Sequence, residues 1–200
     1  GEAAGDASIN RVMSIGSGYK SERFKWAVAY TQMDTPNSAK SPDGAMSNDY
    51  ASSLLIFNKS AVNSAIGVRK QRIAGTGGFY TVGNTDFGVM YSNVKYDYLD
   101  NTKLTLQNLD LNLVNHFTQA LNLGASYFYT VGKYDTINTN PKWHQFNFQA
   151  DYFLSKRTDV AITYSYQIAA GDAKNATIFG FPSSSDKHQG VLMIGMRHVF

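Results

Sequence analysis

The feature that most restricts the fold of this chain is a strict alternation of apolar and polar residues in stretches of about ten. The closing stretch, residues 191–200, shows it clearly. One set of alternate positions is almost wholly apolar or aromatic: Leu192, Ile194, Met196, His198 and Phe200. The other set mixes glycine with a charge: Met193, Gly195, Arg197 and Val199. A period of two predicts a β-strand, and the contrast between its faces predicts that it separates an oily medium from water.

Nine such stretches follow one another, and tight polar links join them in pairs. Strands are predicted at 11–20, 23–33, 66–82, 86–96, 103–117, 121–133, 143–153, 157–167 and 191–200. Long polar loops separate the pairs near 34–65, 97–102, 134–141 and 169–187. Residues 53–57 are apolar without alternation, and we assign them to the first loop.

Strict alternation of short and long connections is typical of an all-β, antiparallel, up-and-down transmembrane β-barrel with its short turns on one rim. Bacterial single-chain barrels have an even number of strands and leave no edge. The odd number therefore predicts that residues 1–200 form a single segment, the C-terminal part, of a larger barrel.

Composition excludes several other classes of protein. No apolar run approaches the ~18 residues of a membrane-spanning helix, whereas a transmembrane β-strand needs only ~9–11. Cysteine is absent, which excludes disulfides and thiolate sites. The net charge is only +3 and the Lys and Arg residues are scattered, so nucleic acid is not an expected partner.

Three segments carry a resemblance to a known family: residues 141–145 (PKWHQ), 150–160 (ADYFLSKRTDV) and 195–200 (GMRHVF). The first two resemble the penultimate hairpin of the general diffusion porins of Gram-negative bacteria, and the third resembles their closing strand. The likeness is greatest to the porins of β-proteobacteria. The chain departs from that pattern at Ala161, where Tyr is frequent, and in an insertion around residues 53–65.

The resemblance implies a fold, a location and a function. It implies a homotrimer of sixteen-stranded barrels in the bacterial outer membrane, whose water-filled channels pass small hydrophilic solutes and ions by passive diffusion. This chain would supply about the last nine strands, and the loop that narrows such pores would lie outside it. Outer-membrane lipid and the barrel-assembly machinery, which would recognise the C-terminal strand, are the other partners implied. No cofactor, metal or catalytic residue is implied.

Strand parity assigns side chains to the two surfaces of such a barrel. Inward, pore-lining positions are predicted for Lys25, Asn108, Asp110, Asn112, Gln145, Asn147, Gln149, Asp151 and Arg197. Outward, membrane-facing positions are predicted for Trp26, Tyr152, Tyr164, His198 and Phe200, whose aromatic rings suit interfacial girdles. Charge reversal at Lys25 or Arg197 is expected to shift anion preference modestly.

Two other functions remain open on the sequence. A soluble β-sandwich binding module would show the same alternation, but it would seal its apolar face in a protein interior. Four side chains test this alternative, because a soluble module would bury them together: Phe146, Phe148, Tyr164 and Ile194. An outer-membrane hydrolase could use His144 with Asp151, although two residues seven apart on one strand are predicted to face opposite sides.

Overall fold

The computed structural model describes residues 11–36 and 57–200. These residues form β1 (Arg11–Lys20), β2 (Phe24–Asp34), β3 (Val68–Val82), β4 (Thr85–Tyr98), β5 (Lys103–His116), β6 (Leu121–Tyr134), β7 (Pro141–Ser155), β8 (Thr158–Gly171) and β9 (His188–His198). All nine belong to one antiparallel sheet in which each strand pairs with its neighbours in sequence. The predicted all-β, up-and-down architecture is confirmed. Within this part of the chain, no helix has the length and hydropathy needed to cross a membrane.

Four turns of two to four residues join the strands in pairs at one end of the sheet. In the turn at Gly83 and Asn84, Gly83 has a φ of 57°. Glycine adopts this left-handed conformation without steric cost, and it suits a two-residue hairpin. Residues 35–67, 99–102, 135–140 and 172–187 connect the pairs at the opposite end, which we call the long-loop end. The predicted pairing is confirmed, while residues 37–56 of the predicted first loop, including 53–56, lie outside the described residues.

Strand ends differ from the prediction, most clearly in the last hairpin. β8 continues to Gly171 rather than to Gln167, and β9 begins at His188 and ends at His198. Phe200 therefore lies beyond the strand, fully exposed, with its ring edge-on to His198 at a centroid distance of 4.8 Å. The prediction that the strand runs to the terminal Phe was wrong by two residues.

The register of the strands defines two faces, because residues directly opposite each other share a face. One line of partners runs through Lys25, Phe79, Gly88, Asn112, Ser126, Asn147, Ser165 and Val191, and we call its side the inner face. The next line runs through Trp26, Gly78, Val89, Leu111, Tyr127, Phe146, Tyr166 and Gly190 on the outer face. This register also resolves β3, whose glycines hide its parity in the sequence.

The outer face is apolar and uncovered. The four side chains that a soluble module would bury are all exposed, with relative accessibilities of 37% for Phe146, 42% for Tyr164, 56% for Phe148 and 71% for Ile194. No other described element packs over them, whereas a soluble sandwich would bury such side chains. The structure therefore disfavours the soluble-module alternative.

A small buried cluster lies on the inner side of the sheet at the long-loop end. Its members, Val68, Tyr98, Leu104 and Leu106, are at most 4% exposed. Phe57 and Ile66, from the segment before β3, pack against this cluster. Burial of apolar surface stabilises this arrangement, which places the segment over the inner face.

Candidate functional site

The inner face of β4 to β6 carries a hydrogen-bonded row of amides and hydroxyls. Asn108 donates from Nδ2 to Ser92 Oγ at 3.0 Å, and its Oδ1 accepts from Thr130 Oγ1 at 2.8 Å. Each bond joins directly opposite residues of adjacent strands. Mutual hydrogen bonds fix the rotamers of these side chains, so this part of the wall is polar and ordered.

A second row continues across β6 to β8. Asn147 donates to Ser126 Oγ at 3.0 Å and accepts from Gln145 Nε2 at 2.9 Å. Gln167, which is 7% exposed, donates to Gln145 Oε1 at 2.9 Å. The sequence predicted Gln145 and Asn147 on this face but did not single out Gln167.

The inner face of β2 to β4 is different, because its positions are mostly small. Ala27, Ala29, Gly75 and Gly77 line it, and the Phe79 ring lies directly over Gly88. A Cβ at Gly88 would come within 2.5 Å of Phe79 Cε1, so only glycine leaves room for that ring. Lys25 therefore lies between this apolar stretch and the hydrogen-bonded pair Thr81 and Asp86 toward the short turns.

Charged groups of the inner face occur singly, in one Arg–Asp ion pair and in a contact of 3.5 Å between His116 Nε2 and Asp86 Oδ2. Arg197 binds Asp159 through Nε at 2.8 Å and Nη2 at 2.7 Å. Lys25 lies directly opposite Lys20, and neither forms an ion pair with a described residue. The positive charge of Arg197 is thus offset by an ion pair, whereas Lys25 forms none and has only a longer-range electrostatic interaction with Asp86.

All nine residues predicted as pore-lining lie on the inner face by register, on strands β2, β5, β7 and β9. Asp110 is 6% exposed. Among the residues predicted to face outward, Trp26, Tyr152, Tyr164 and His198 lie on the outer face. His198 forms a hydrogen bond of 2.8 Å between its Nδ1 and Thr158 Oγ1.

Residues 57–67 fold over the inner face, which the sequence did not predict. The Phe57 ring lies 6.2 Å from Tyr96 on β4 and 5.9 Å from Trp143 on β7, measured between centroids. Tyr98 Oη donates to the Phe57 carbonyl at 3.0 Å. One aromatic residue thus bridges strands that are three positions apart in the sheet.

The loop between β8 and β9, residues 172–187, also folds over the inner face, and wall side chains hold its backbone. Gln167 Oε1 accepts from Thr177 N at 2.6 Å, and Gln189 Oε1 accepts from Ile178 N at 2.7 Å. Trp143 Nε1 donates to the Asn175 carbonyl at 3.2 Å. We call residues 172–187 the anchored loop.

Between these two segments and the wall lies an open cavity of about 500 Å³. Aromatic rings of Phe57, Tyr96, Trp143 and Phe179 line it together with amides of the polar rows. Trp143 precedes the polar run of Gln145, Asn147, Gln149 and Asp151 on the same face of β7, and this aromatic residue is the sequence signal that could have indicated a cover here.

Residues 11–36 and 57–200 contain no metal-binding cluster, and they do not bring the candidate catalytic pair together. No three His, Asp or Glu side chains there come close enough together to hold a metal ion. His144 lies on the outer face, hydrogen-bonded to Tyr127 Oη at 2.8 Å, and Asp151 lies on the inner face. The sheet separates the pair on which the hydrolase alternative depends.

Comparison with known proteins agrees with this geometry. A family model described as Gram-negative porin matches residues 1–171. The chain is similar to the anion-selective porin from Comamonas acidovorans, with a TM-score of 0.67 and 15% identity, over 100% of this chain and 52% of that one. It is also similar to in-vitro folded OmpT, an outer membrane protein of Vibrio cholerae, with a TM-score of 0.69 and 14% identity, over 94% of this chain and 55% of that one.

A trimer form of OmpT gives a TM-score of 0.66 at 13% identity, again over 94% of this chain and 55% of the other. At these identities the likeness shows the fold alone. The chain spans about half the length of the structures that it matches. Comparison with curated proteins gives no match.

Proposed function

Because the chain belongs to the Gram-negative porin family, and is therefore a protein of the bacterial outer membrane, we propose that it forms the wall of a water-filled channel. Small hydrophilic solutes and ions would cross this channel by passive diffusion. The observation that carries the proposal is a continuous nine-stranded sheet with an exposed apolar face and a face of hydrogen-bonded amides. Such a contrast suits a barrel wall with lipid on one side and water on the other.

The proposed lining consists of the inner-face set predicted from the sequence, extended by the side chains that the two covering segments bring in. The polar rows offer hydrogen-bond donors and acceptors to solutes along the channel. We propose that the channel wall contributed by this chain is narrowest at the cavity under Phe57. Solutes would be sorted by width there and by the field of the inner charges. Lys25 is an inner cation expected to favour anions, because no carboxylate of the described residues lies at ion-pair distance from it.

A homotrimer is the proposed assembly. The similar fold of a protein that occurs in a trimer form supports it, and the uncovered apolar outer face offers area for contacts between copies as well as for lipid. The C-terminal strand is proposed as the element that the barrel-assembly machinery recognises.

We propose no catalytic activity and no cofactor for this chain. The family is one of channels, and the candidate pair His144 and Asp151 lies on opposite faces of β7. Hydrolysis of lipid or peptide substrates by the purified protein, abolished in His144→Ala, would contradict this proposal.

Reversal potentials in planar bilayers test the channel and its proposed lining together. An ion about 7 Å from a unit charge in water has a Coulomb energy of about 0.6 kcal/mol, which screening at 0.1 M salt reduces to about 0.3 kcal/mol. Lys25→Glu changes the charge by two units and acts with opposite sign on anions and cations. The anion-to-cation permeability ratio should therefore fall by up to about eightfold at 0.1 M and by only about 1.5-fold at 1 M.

The matched control is Asp159→Asn/Arg197→Gln, which removes an inner ion pair without changing the net charge. It should leave the reversal potential unchanged. The intact protein failing to conduct would refute the channel, and conduction with the same reversal potential in Lys25→Glu would refute only the assignment of Lys25 to the path.

A further inference from the structure

The open cavity under Phe57 has no charged residue among the described side chains that line it. Aromatic, amide, hydroxyl and aliphatic groups form its walls. Lys25 and Asp110 line a different cavity, toward the short turns. Channels select ions with charged side chains or with rings of carbonyl groups. The uncharged lining of the cavity under Phe57 therefore favours a neutral solute.

Aromatic rings enter this cavity from the wall and from both covering segments. Tyr96 and Trp143 belong to β4 and β7. Phe57 belongs to the segment before β3, and Phe179 belongs to the anchored loop. Aromatic rings present flat apolar faces with partial negative charge, and the C–H groups on one side of a pyranose ring pack against such faces. The cavity thus offers stacking surface to a sugar ring.

The Trp143 ring is held in place before any ligand binds. It packs against three buried alanines, which are Ala169, Ala173 and Ala176. Its Nε1 also donates to the Asn175 carbonyl at 3.2 Å. A ring that is fixed in this way loses little conformational entropy when a ligand stacks on it.

The polar rows give the cavity hydrogen-bond donors and acceptors together. Asn108, Gln145 and Gln167 line it, and each uses one of its two side-chain N–H groups in a bond to another described residue. The second N–H of each amide has no partner among the described residues. Thr130, whose hydroxyl donates to Asn108, can still accept a bond. This mixture matches ligand hydroxyls, because each hydroxyl both donates and accepts.

The size of the cavity and its lining together distinguish a sugar from other ligands that stack on aromatic rings. Its volume of about 500 Å³ lies within the range of about 300–1,000 Å³ that small-molecule sites occupy. A nucleotide would also stack, but its phosphates find no cation among the described lining residues. A quaternary ammonium ion would bind the ring faces, but it would leave the amides of the wall without a ligand partner.

We propose that the cavity under Phe57 binds a neutral saccharide of one or two pyranose rings at the long-loop end of the channel. The inference rests on the proposed function for the position of the site on the diffusion path. Such a site gives the channel a preferred class of solute, which sorting by width alone does not provide. Binding there must stay weak enough for the solute to leave, as conduction requires.

Tryptophan fluorescence of the intact protein tests the proposal, with maltose as the probe. The chain has two tryptophans, so Trp26→Phe on the outer face leaves Trp143 as a reporter in the cavity. The detergent is a polyoxyethylene ether, because the head groups of maltosides and glucosides would compete for the site. Maltose should change the emission saturably. Mannitol, a polyol without a ring face, should do so only at much higher concentration.

Two variants in the Trp26→Phe background test the residues of the site. Phe179→Leu removes a stacking ring, and because Phe179 is 75% exposed the fold should stay intact. The affinity for maltose should then fall about twofold to tenfold. Asn108→Leu keeps the shape of the side chain but removes its amide, and should weaken binding about fivefold. Phe181→Leu, in the same loop but outside the cavity lining, is the matched control and should bind as the parent does.

Conductance in planar bilayers tests the position of the site, since maltose in the cavity should lower the ion current with the same half-saturating concentration. Saturable emission with an unchanged current would overturn the placement on the diffusion path. The saccharide site itself would be overturned by a lack of saturable change in both emission and current, or by equal affinities in the parent and both site variants. Tighter binding of adenosine or tetramethylammonium would overturn it too. An intact protein that fails to conduct contradicts the proposed function, whereas the fluorescence titration still tests this site.

Discussion

Gln167 and Gln189 hold the anchored loop against the inner wall, and their replacement by methionine should release it. Methionine matches the length of glutamine but cannot accept the backbone hydrogen bonds from Thr177 and Ile178. Gln189 also donates to the Pro182 carbonyl at 2.9 Å. The double variant thus loses three hydrogen bonds to the loop, each with a net contribution of about 1 kcal/mol. The sum, about 3 kcal/mol, corresponds to about a 100-fold rise in the detached population.

Limited proteolysis measures that population, because the loop contains two exposed trypsin sites, Lys174 and Lys187. When opening is fast relative to cleavage, the cleavage rate follows the equilibrium fraction of the open form. The intact Gln167→Met/Gln189→Met protein in detergent should therefore be cut at these sites between about tenfold and 100-fold faster than the wild type. The lower bound allows for the hydrogen bonds to the loop that remain, from Trp143 to the Asn175 carbonyl, from Asn140 N to Asp172 and from Ala169 N to the Lys187 carbonyl.

Gln149→Met is the matched control for this experiment. Gln149 lies on the same inner face, but its side chain forms no hydrogen bond with a described residue. The control should be cut at the wild-type rate. Equal cleavage rates for the double variant and the control would refute the reasoning that the wall glutamines hold the loop.

Three further predictions concern the cover of the channel and its attachment. Phe57→Ala should widen the narrow place and raise single-channel conductance in planar bilayers, since the two ring contacts that it removes contribute about 1–3 kcal/mol to docking of the segment; unchanged conductance would count against that place as the constriction. Leu104→Ala, in the fully buried cluster, should lower the free energy of unfolding by about 2–5 kcal/mol in urea titrations, and a loss below about 1 kcal/mol would show that the site collapses freely. Burial raises the pKa of Asp100, in the loop after β4, but hydrogen bonds from Ser60 and Thr102 outweigh it and hold the pKa below its usual range. This contribution to stability is present above the unfolded pKa and is lost as pH falls through the folded pKa. The hydrogen-exchange protection factors of residues 60–67, which correct for the slower intrinsic exchange at low pH, should therefore fall on acidification, and Asp100→Asn should abolish that dependence.

The two faces of the sheet could be predicted from sequence because strand periodicity is local. Asn108 and Asp110 are two residues apart, as are Gln145 and Asn147, and a period of two places each pair on one face wherever the strand lies. The short turns reinforced this assignment by fixing which strands are neighbours. The register was not predicted, since the glycines of β3 hide its parity in the sequence and two strand pairs contain register shifts.

The cover of the inner face could not be predicted in that way. Phe57 and Trp143 are 86 positions apart in sequence, and their contact depends on how far the sheet curves. Hydrogen bonds between wall side chains and backbone groups hold the anchored loop. Such bonds produce no periodic pattern in the sequence. In the sequence, Gln167 looks like any other polar residue of the inner face. Its hydrogen bond to the anchored loop, seen only in the structure, distinguishes it from Gln149.

Four of the connections between strands contain only two to four residues, and this has a consequence for how the protein can diversify. Adding one residue to such a hairpin would slip the register and turn the apolar side chains of a strand toward water. Change in length is therefore restricted to the long-loop end. The rim of short turns must keep its lengths, and the rim of long loops is free to vary.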